Sequence, residues 1–344
     1  MSGKLQVIVP KNEIKRCTNR FLYDIIHRNV KLGVVWVSIK VSVIVPTHNR
    51  PHFLGRTIDS LLAQTYRNTE IVVVDDNAPD SPARADTQAL MKNYEKYDNV
   101  IYIQNEKPLG GGPARNEGIK AATGDYVTFL DDDDIYLPEK VETQLSFMLK
   151  NDLDMSFTDV FIHSAEGRLV EYRRHTYVDD CSNEALFRQH ILHSLCPTST
   201  YMIKRSFILE TDGFRAVPMG QDFWLMWDML ENNAKTGYFP VSYIIQYIHN
   251  EGRISVGKNK INGENALYEL KKSKFDLLSS KERRYVRFRH YAVLSVAHIR
   301  SGNPLGAVYC CTKTALASPG DLLKEFNRFL GNRKIAKQSI NTGR

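Results

Sequence analysis

Val41-Ser42-Val43-Ile44-Val45-Pro46-Thr47-His48-Asn49-Arg50 decides the fold. A β-branched, apolar run that stops at a proline and then turns polar is the pattern of a strand covered on both faces, followed by a loop. Pro51 suits the first position of a helix, and Phe53, Leu54, Ile58, Leu61 and Leu62 recur at helical spacing up to Gln64. A second β-branched run, Ile71 to Val74, ends in Asp75-Asp76-Asn77. Strand, helix and strand over about 35 residues make a βαβ unit of a parallel sheet, with a right-handed crossover.

The alternation continues outward from this unit. Ala85 to Tyr94 and Pro113 to Ala122 have helical patterns, and Val100 to Ile103 and Tyr126 to Leu130 are short apolar strands. Ligands of such sheets bind beyond the carboxyl ends of the strands, which points to Thr47 to Arg50, Asp75 to Asn77 and Asp131 to Asp134. After a helix from Pro138 to about Leu149 the rhythm changes. Met155 to Ile162, Thr198 to Ile203 and Tyr238 to Ile248 are expected as strands of a mixed sheet, with the aromatic helix Phe223 to Leu230 between the last two. From Glu264 onward the pattern is helical. Tyr291 to Ile299, the break Gly302-Asn303-Pro304, and Ala307 to Leu316 predict a helical hairpin. Toward the amino end, Leu5 to Pro10 suits a short strand and Ile14 to His27 a loose helix.

The chain has 344 residues, 42% apolar and 25% charged, which are globular proportions. Its five cysteines are an odd number with no CxxC spacing, so neither a disulfide scaffold nor a cysteine zinc site is indicated. The most apolar stretch, Leu32 to Pro46, is interrupted by Lys40 and falls short of the roughly 20 residues that span a bilayer. No signal peptide is visible, and the expected location is the cytoplasm, with the option of a peripheral place at the inner face of the cell membrane. The net charge of +7 hides an asymmetry: residues 256–344 carry 18 Lys and Arg against 6 Asp and Glu, whereas residues 1–255 carry 28 against 33. The chemistry is expected in the acidic part, and a partner contact in the basic part.

Four features carry candidate chemistry. Asp131-Asp132-Asp133-Asp134 follows the strand Tyr126 to Leu130, where crowded carboxylates repel strongly unless a cation neutralises them. That set suits Mg²⁺ or Mn²⁺, or else forms a solvated acidic turn. Asp76 at a strand end can accept from a base or ribose, or simply form a turn. Gly110-Gly111-Gly112-Pro113-Ala114-Arg115-Asn116 can meet a diphosphate through helix-terminal N–H groups and Arg115, or be a surface loop; it lacks the lysine of a P-loop. Asp222 heads the aromatic helix as a cap or, near an apolar wall, as a general base. The histidines show no HExxH spacing, and there is no GxSxG signature.

In their order these segments resemble the family 2 glycosyltransferases of the GT-A fold. The resemblance covers about Val41 to Ser255 and runs through Leu61-Leu62-Ala63-Gln64-Thr65-Tyr66, Val73 to Asn77, Ala114 to Ile119, Gly124 to Val127, and Phe129 to Asp134 with Pro138. It implies an α/β fold with a Rossmann-like parallel sheet, a mixed-sheet acceptor half and a C-terminal helical appendage. The expected domains are an N-terminal extension of open role at 1–40, the transferase domain at 41–255 with its nucleotide half at 41–134 and acceptor half at 135–255, and a basic helical region at 256–344. The implied activity is transfer of a sugar from a nucleotide-diphosphate donor, a UDP-sugar by preference, to a hydroxyl of a glycan or lipid-linked acceptor, with inversion. By the same resemblance Asp76 reads the nucleobase with Pro46, Thr47, His48 and Arg50 nearby. Arg115 and Asp132 belong to the donor-binding set, Asp131 faces the ribose or sugar, Asp133 holds the Mn²⁺ or Mg²⁺, and Asp222 is the catalytic base. Two departures stand out: Gln221 takes the place of a frequent glutamate, and the four-aspartate run leaves Asp132 as an alternative ligand to Asp133. Arg253-Ile254-Ser255 resembles a late segment that closes over the diphosphate.

The processive synthases of the family carry transmembrane helices and a QxxRW segment; with neither present, a non-processive enzyme is expected. A nucleotidyltransferase is disfavoured because Thr47-His48-Asn49-Arg50 stands where that class has a glycine-rich loop. A non-catalytic sugar-nucleotide-binding protein is the other alternative. No nucleic-acid recognition module is visible, and the acidic front repels phosphates. The basic region is expected to meet an anionic membrane, or else to be a solvated helical appendage or a dimer contact.

Overall fold

The computed structural model describes residues 39–248, 257–318 and 320. The expectations for Leu5 to Pro10, Ile14 to His27 and Arg253-Ile254-Ser255 lie outside them. The described residues from Lys40 onward belong to one compact unit.

In chain order the elements are β1 (Val41–Thr47), α1 (Pro51–Leu62), β2 (Thr69–Asp75), α2 (Pro82–Met91), β3 (Val100–Gln104), α3 (Gly111–Ala121), β4 (Tyr126–Phe129), β5 (Ile135–Tyr136), α4 (Lys140–Lys150), β6 (Met155–Thr158), β7 (Val160–Ser164) and β8 (Leu169–Arg173). There follow α5 (Asn183–His193), β9 (Met202–Lys204), α6 (Arg205–Leu209), α7 (Gln221–Glu231), β10 (Thr236–Phe239), β11 (Ile244–Ile248), α8 (Gly257–Lys272), α9 (Ser280–Arg300) and α10 (Pro304–Ala317).

The main sheet has seven strands in the order β10-β6-β9-β4-β1-β2-β3. β4, β1, β2 and β3 run parallel, so the carboxyl ends of β1, β2 and β4 open on one edge. Val41, Val43, Val45 and Ile71 to Val74 are fully buried, as a strand sandwiched between helices requires. α3 lies so close that a Cβ on Gly118 would stand 2.5 Å from Ile44 Cγ2. β9 alone runs antiparallel to both its neighbours, β4 and β6, and turns the second half into a mixed sheet.

Two expected strands are each divided between sheets. Met155 to Ile162 breaks at Asp159, placing β6 in the main sheet and β7 in a second sheet of order β5-β11-β7-β8. Tyr238 to Ile248 breaks in the same way into β10 and β11. The cause is local. Asp159 is buried and accepts from Tyr238 Oη at 2.6 Å, Tyr172 Oη at 3.1 Å and His175 N at 3.2 Å, while Pro240 withholds a ladder donor. In Thr198 to Ile203 the first three residues form a 3₁₀ turn after Pro197, and only Met202–Lys204 pairs as strand. The helical hairpin is present as α9 and α10, with a capping box at Ser279 and Glu282 and Asn303 Oδ1 accepting from Gly306 N at 2.9 Å. α8 starts before Glu264, at Gly257.

Glu70 ties the sheet together. Its buried carboxylate accepts from Ser42 Oγ at 2.5 Å and from Thr123 N at 2.6 Å, and pairs with Lys40 Nζ at 2.5 Å. Burial raises its pKa, but these donors outweigh burial and hold it at about 2. The ion pair is therefore complete above the ordinary carboxylate range near 4.5 and is lost as pH falls toward 2. Acid unfolding of Glu70→Gln, followed by circular dichroism, should lack the loss of about 3 kcal/mol that the native chain suffers over this window; parallel acid curves would contradict the linkage.

Candidate functional site

The site is assembled at the carboxyl edge of β1, β2 and β4 by three loops that hold one another. Asp76 N donates to Thr47 O at 2.9 Å, and Leu130 N to Ile44 O at 3.0 Å, carrying the strand register into the loops. Asn49 occupies the left-handed region at φ 58°, which asparagine tolerates better than most residues. Its backbone N–H reaches Asn77 Oδ1 at 2.6 Å. His48 Nδ1 donates to the Asp76 carbonyl at 2.8 Å, and Nε2 accepts from Asn49 Nδ2 at 2.9 Å. His48 is exposed and Pro46 half-buried at the open edge, while Thr47 turns its hydroxyl inward.

Asp76 is not the turn former that its sequence context allows; that role falls to Asp75, whose Oδ1 accepts from Asn77 N at 3.0 Å and whose Oδ2 pairs with Arg84 Nε at 3.1 Å. The buried Asp76 carboxylate accepts three hydrogen bonds of 2.8 Å, from Asn105 Nδ2, Leu109 N and Gly110 N. It thereby fastens the glycine loop to the end of β2. Gly110, at φ +88°, then turns the chain into α3.

The four aspartates divide in two. One carboxylate oxygen each from Asp131, Asp133 and Asp134 lies within 4.8 Å of the others. Asp132 does not join them. It is fully buried, accepts from Thr47 Oγ1 at 2.8 Å, and lies 2.8 Å from Arg50 Nη2. Asp132 thus turns inward and anchors β4 to the loop after β1. Alternating directions along a tight turn separate neighbours in this way, and the sequence run contains no signal that distinguishes them. Asp134 is the residue missed. Its carboxylate accepts from Tyr247 N at 3.0 Å and Gln246 Nε2 at 3.3 Å, joining the cluster to β11.

The electrostatics are one-sided. Burial raises the Asp132 carboxyl to about 7, against the opposing pull of Arg50 and with the push of Asp133. Burial, then Asp133 and Asp131, raise Asp134 well above its usual range. Arg50 spans the group, with Nη1 2.5 Å from Asp133 Oδ2, and Arg56 Nη2 donates to the Asp133 carbonyl at 2.7 Å. Arg50 thus faces two carboxylates of the run. Three convergent hard oxygen donors fit a divalent cation of the Mg²⁺ or Mn²⁺ type.

Arg115 links this cluster to the second half of the molecule. It is buried, its Nη2 donates to Asp131 Oδ1, and its Nη1 donates to Gln221 Oε1 at 3.1 Å. The glutamine that departs from the familiar pattern therefore holds the arginine beside the acidic cluster. Asp222, the next residue, is half-buried at the head of α7; the cap position is Gly220. Asp222 Oδ1 accepts from Phe223 N at 2.8 Å. Burial raises its pKa, the Phe223 N–H, the Cys196 thiol and Arg115 oppose the rise, and Asp131 adds to it. The acidic cluster and Asp222 thus share one electrostatic neighbourhood.

Residues 42–214 match the family described as Glycosyl transferase family 2, half of the chain, and the chain belongs to that family. It is similar to an uncharacterised glycosyltransferase of Methanocaldococcus jannaschii, 30% identical over 190 residues that cover 54% of this chain and 63% of the relative. It is also similar to UDP-Glc:α-D-GlcNAc-diphosphoundecaprenol β-1,3-glucosyltransferase WfgD of Escherichia coli, 36% identical over 141 residues, 40% of this chain and 53% of that one. The chain thus spans less than two thirds of either relative. In structure it resembles S. aureus TarS 1–349, with a TM-score of 0.57 at 20% identity, covering 82% of this chain and 81% of that chain. The architecture is GT-A-like: a mixed sheet with flanking helices and a C-terminal helical region.

Replacing Asp76 by alanine removes three buried hydrogen bonds at once. Amide exchange at Leu109 and Gly110 should accelerate at least tenfold, and stability should fall by about 1–3 kcal/mol; unchanged protection in hydrogen-exchange NMR would contradict the latch.

Proposed function

We propose that the chain transfers a sugar from a UDP-sugar to a hydroxyl of a glycan or carrier-linked acceptor, with inversion and the help of a divalent ion. The observation that carries this reading is the convergence of Asp131, Asp133 and Asp134 beside Arg115, Gln221 and Asp222. In this reading Asp76, Pro46 and His48 bound the nucleobase pocket, and Asp131, Asp133 and Asp134 hold Mg²⁺ or Mn²⁺. The ion supplies charge compensation for the leaving diphosphate. Asp222 takes the proton from the acceptor hydroxyl as its oxygen bonds to the anomeric carbon and the bond to the diphosphate breaks. Burial, which lifts the Asp222 pKa, makes it a stronger base once ionised. The E. coli relative is named for UDP-Glc and a diphosphate-linked sugar acceptor, which supports the same donor class here.

Asp222→Asn keeps the shape and removes the base. Released UDP from a panel of UDP-sugars should fall by about 10²-fold or more, while UDP affinity in calorimetry stays within about twofold. Full turnover in the variant would remove Asp222 from the mechanism; absence of turnover in the native chain with every nucleotide sugar would favour the non-catalytic alternative.

We further infer a peripheral site of action on an anionic membrane. The outward face of α10 carries Leu305, Val308, Tyr309 and Leu316 at 84, 66, 57 and 74% exposure, while Ala307, Cys310 and Thr314 face inward. An apolar stripe in a strongly basic region suits the interface of an anionic bilayer, and no described helix is long and apolar enough to cross one. Flotation should recover the chain with phosphatidylglycerol vesicles, and Leu305→Asp with Val308→Asp should reduce recovery severalfold. Equal recovery with neutral and anionic vesicles would end this reading.

A further inference from the structure

α5 lies antiparallel along α7, and their contacts step down both helices at helical spacing. Asn183 Nδ2 donates to the Leu230 carbonyl at 2.9 Å, the Phe187 ring meets Trp227 edge-on with centroids 5.2 Å apart, and His190 stacks on Phe223 at 4.0 Å and 25°. The third position, at the head of α7, therefore holds a histidine fully excluded from water. An apolar side chain would fill that space with no polar atoms to satisfy.

Both ring nitrogens of His190 are committed. α5 ends in Ser194 at φ 61°, which turns the chain back so that Leu195 N donates to His190 Nδ1 at 3.0 Å. A backbone N–H can only donate, so the ring proton sits on Nε2, which donates to the Phe223 carbonyl at 3.0 Å. Burial is the main cause that holds the ring's pKa down at about 3, so it is neutral near pH 7. Tyr201, also fully buried, donates to the Leu195 carbonyl at 2.5 Å and stands 3.3 Å from the Asp222 carbonyl. The Asp222 carboxylate in turn accepts from Phe223 N at 2.8 Å. The residue that holds the carboxylate is thus the one that His190 grips by its ring and by its carbonyl.

We propose that His190 is a positioning residue of the transfer reaction, which fixes the direction of the Asp222 carboxylate through Phe223. The proposal rests on the reading of Asp222 as the base and adds a residue that acts through it. Tyr201 supports the same clamp from the other side, because it fixes the Leu195 peptide whose N–H sets the tautomer of His190. A carboxylate displaced by about 1 Å would still lie in the site, yet lose its alignment with the attacking hydroxyl. Loss of the clamp therefore lowers turnover and leaves donor binding alone.

The test compares His190→Gln with His190→Asn in the full chain. Glutamine places its amide nitrogen where Nε2 stands and keeps the donor to Phe223, whereas asparagine is too short to reach it. UDP release from UDP-glucose and from UDP-N-acetylglucosamine with Mn²⁺ should show kcat at least tenfold lower for His190→Asn, with the donor KM within about twofold of native. His190→Gln should recover kcat to within about threefold of native, and amide exchange at Phe223 should accelerate about tenfold only in His190→Asn. Tyr201→Phe removes a single hydroxyl and reports where His190→Asn fails to fold: kcat should fall severalfold at unchanged KM. Native kcat in both His190→Asn and Tyr201→Phe, equal losses in His190→Asn and His190→Gln, or a rise in KM alone would overturn the proposal. Asp222→Asn in the same assay separates the two readings. Its full turnover removes base and clamp together, whereas an inactive Asp222→Asn beside a fully active His190→Asn removes only the clamp.

Discussion

Mutual repulsion among Asp131, Asp132, Asp133 and Asp134 is the constraint on which the rest of this site depends. Four carboxylates leave the end of one buried strand, in surroundings where their charges are weakly screened. The fold answers with two arginines of different origin. Arg50 comes from the loop after β1 and faces Asp132 and Asp133; Arg115 comes from α3 and meets Asp131. Asp134 is held by hydrogen bonds from β11. The acidic turn is thus bound to three separate parts of the chain, and this fixes the relative positions of the loops after β1, β3 and β4.

The same network explains how the two halves act together. Arg115 reaches across to Gln221, which immediately precedes Asp222, so the candidate base is positioned from the acidic cluster rather than only from its own helix. The charge balance shifts along the chain, from net −5 in residues 1–255 to net +12 in residues 256–344.

Much of this was legible in the sequence, for physical reasons. Val41 to Val45 and Ile71 to Val74 announce buried parallel strands because both faces are covered, and the polar residues that follow each run fall at one sheet edge. The aspartate run and Asp76 were visible for the same reason. What escaped was whatever depends on side-chain direction or distant partners. Asp132 and Asp134 look alike in a run, yet one turns inward to Thr47 and Arg50 and the other joins the cluster. Gln221 departs from the family pattern, and its partner Arg115 lies 106 residues away in the chain. The divided strands at Asp159 and Pro240 resembled continuous runs because the polar interruption is a single residue, and α5 was missed because His190 and His193 dilute its apolar periodicity.

The account turns on whether three of the four aspartates work as one cation site while the fourth does not. Electron paramagnetic resonance titration of Mn²⁺ in the presence of UDP addresses this directly. One bound ion is predicted for the native chain, with affinity falling by more than tenfold in Asp133→Asn and in Asp134→Asn and changing little in a folded Asp132→Asn variant. Equal affinities in all four proteins, or a loss confined to Asp132→Asn, would contradict it.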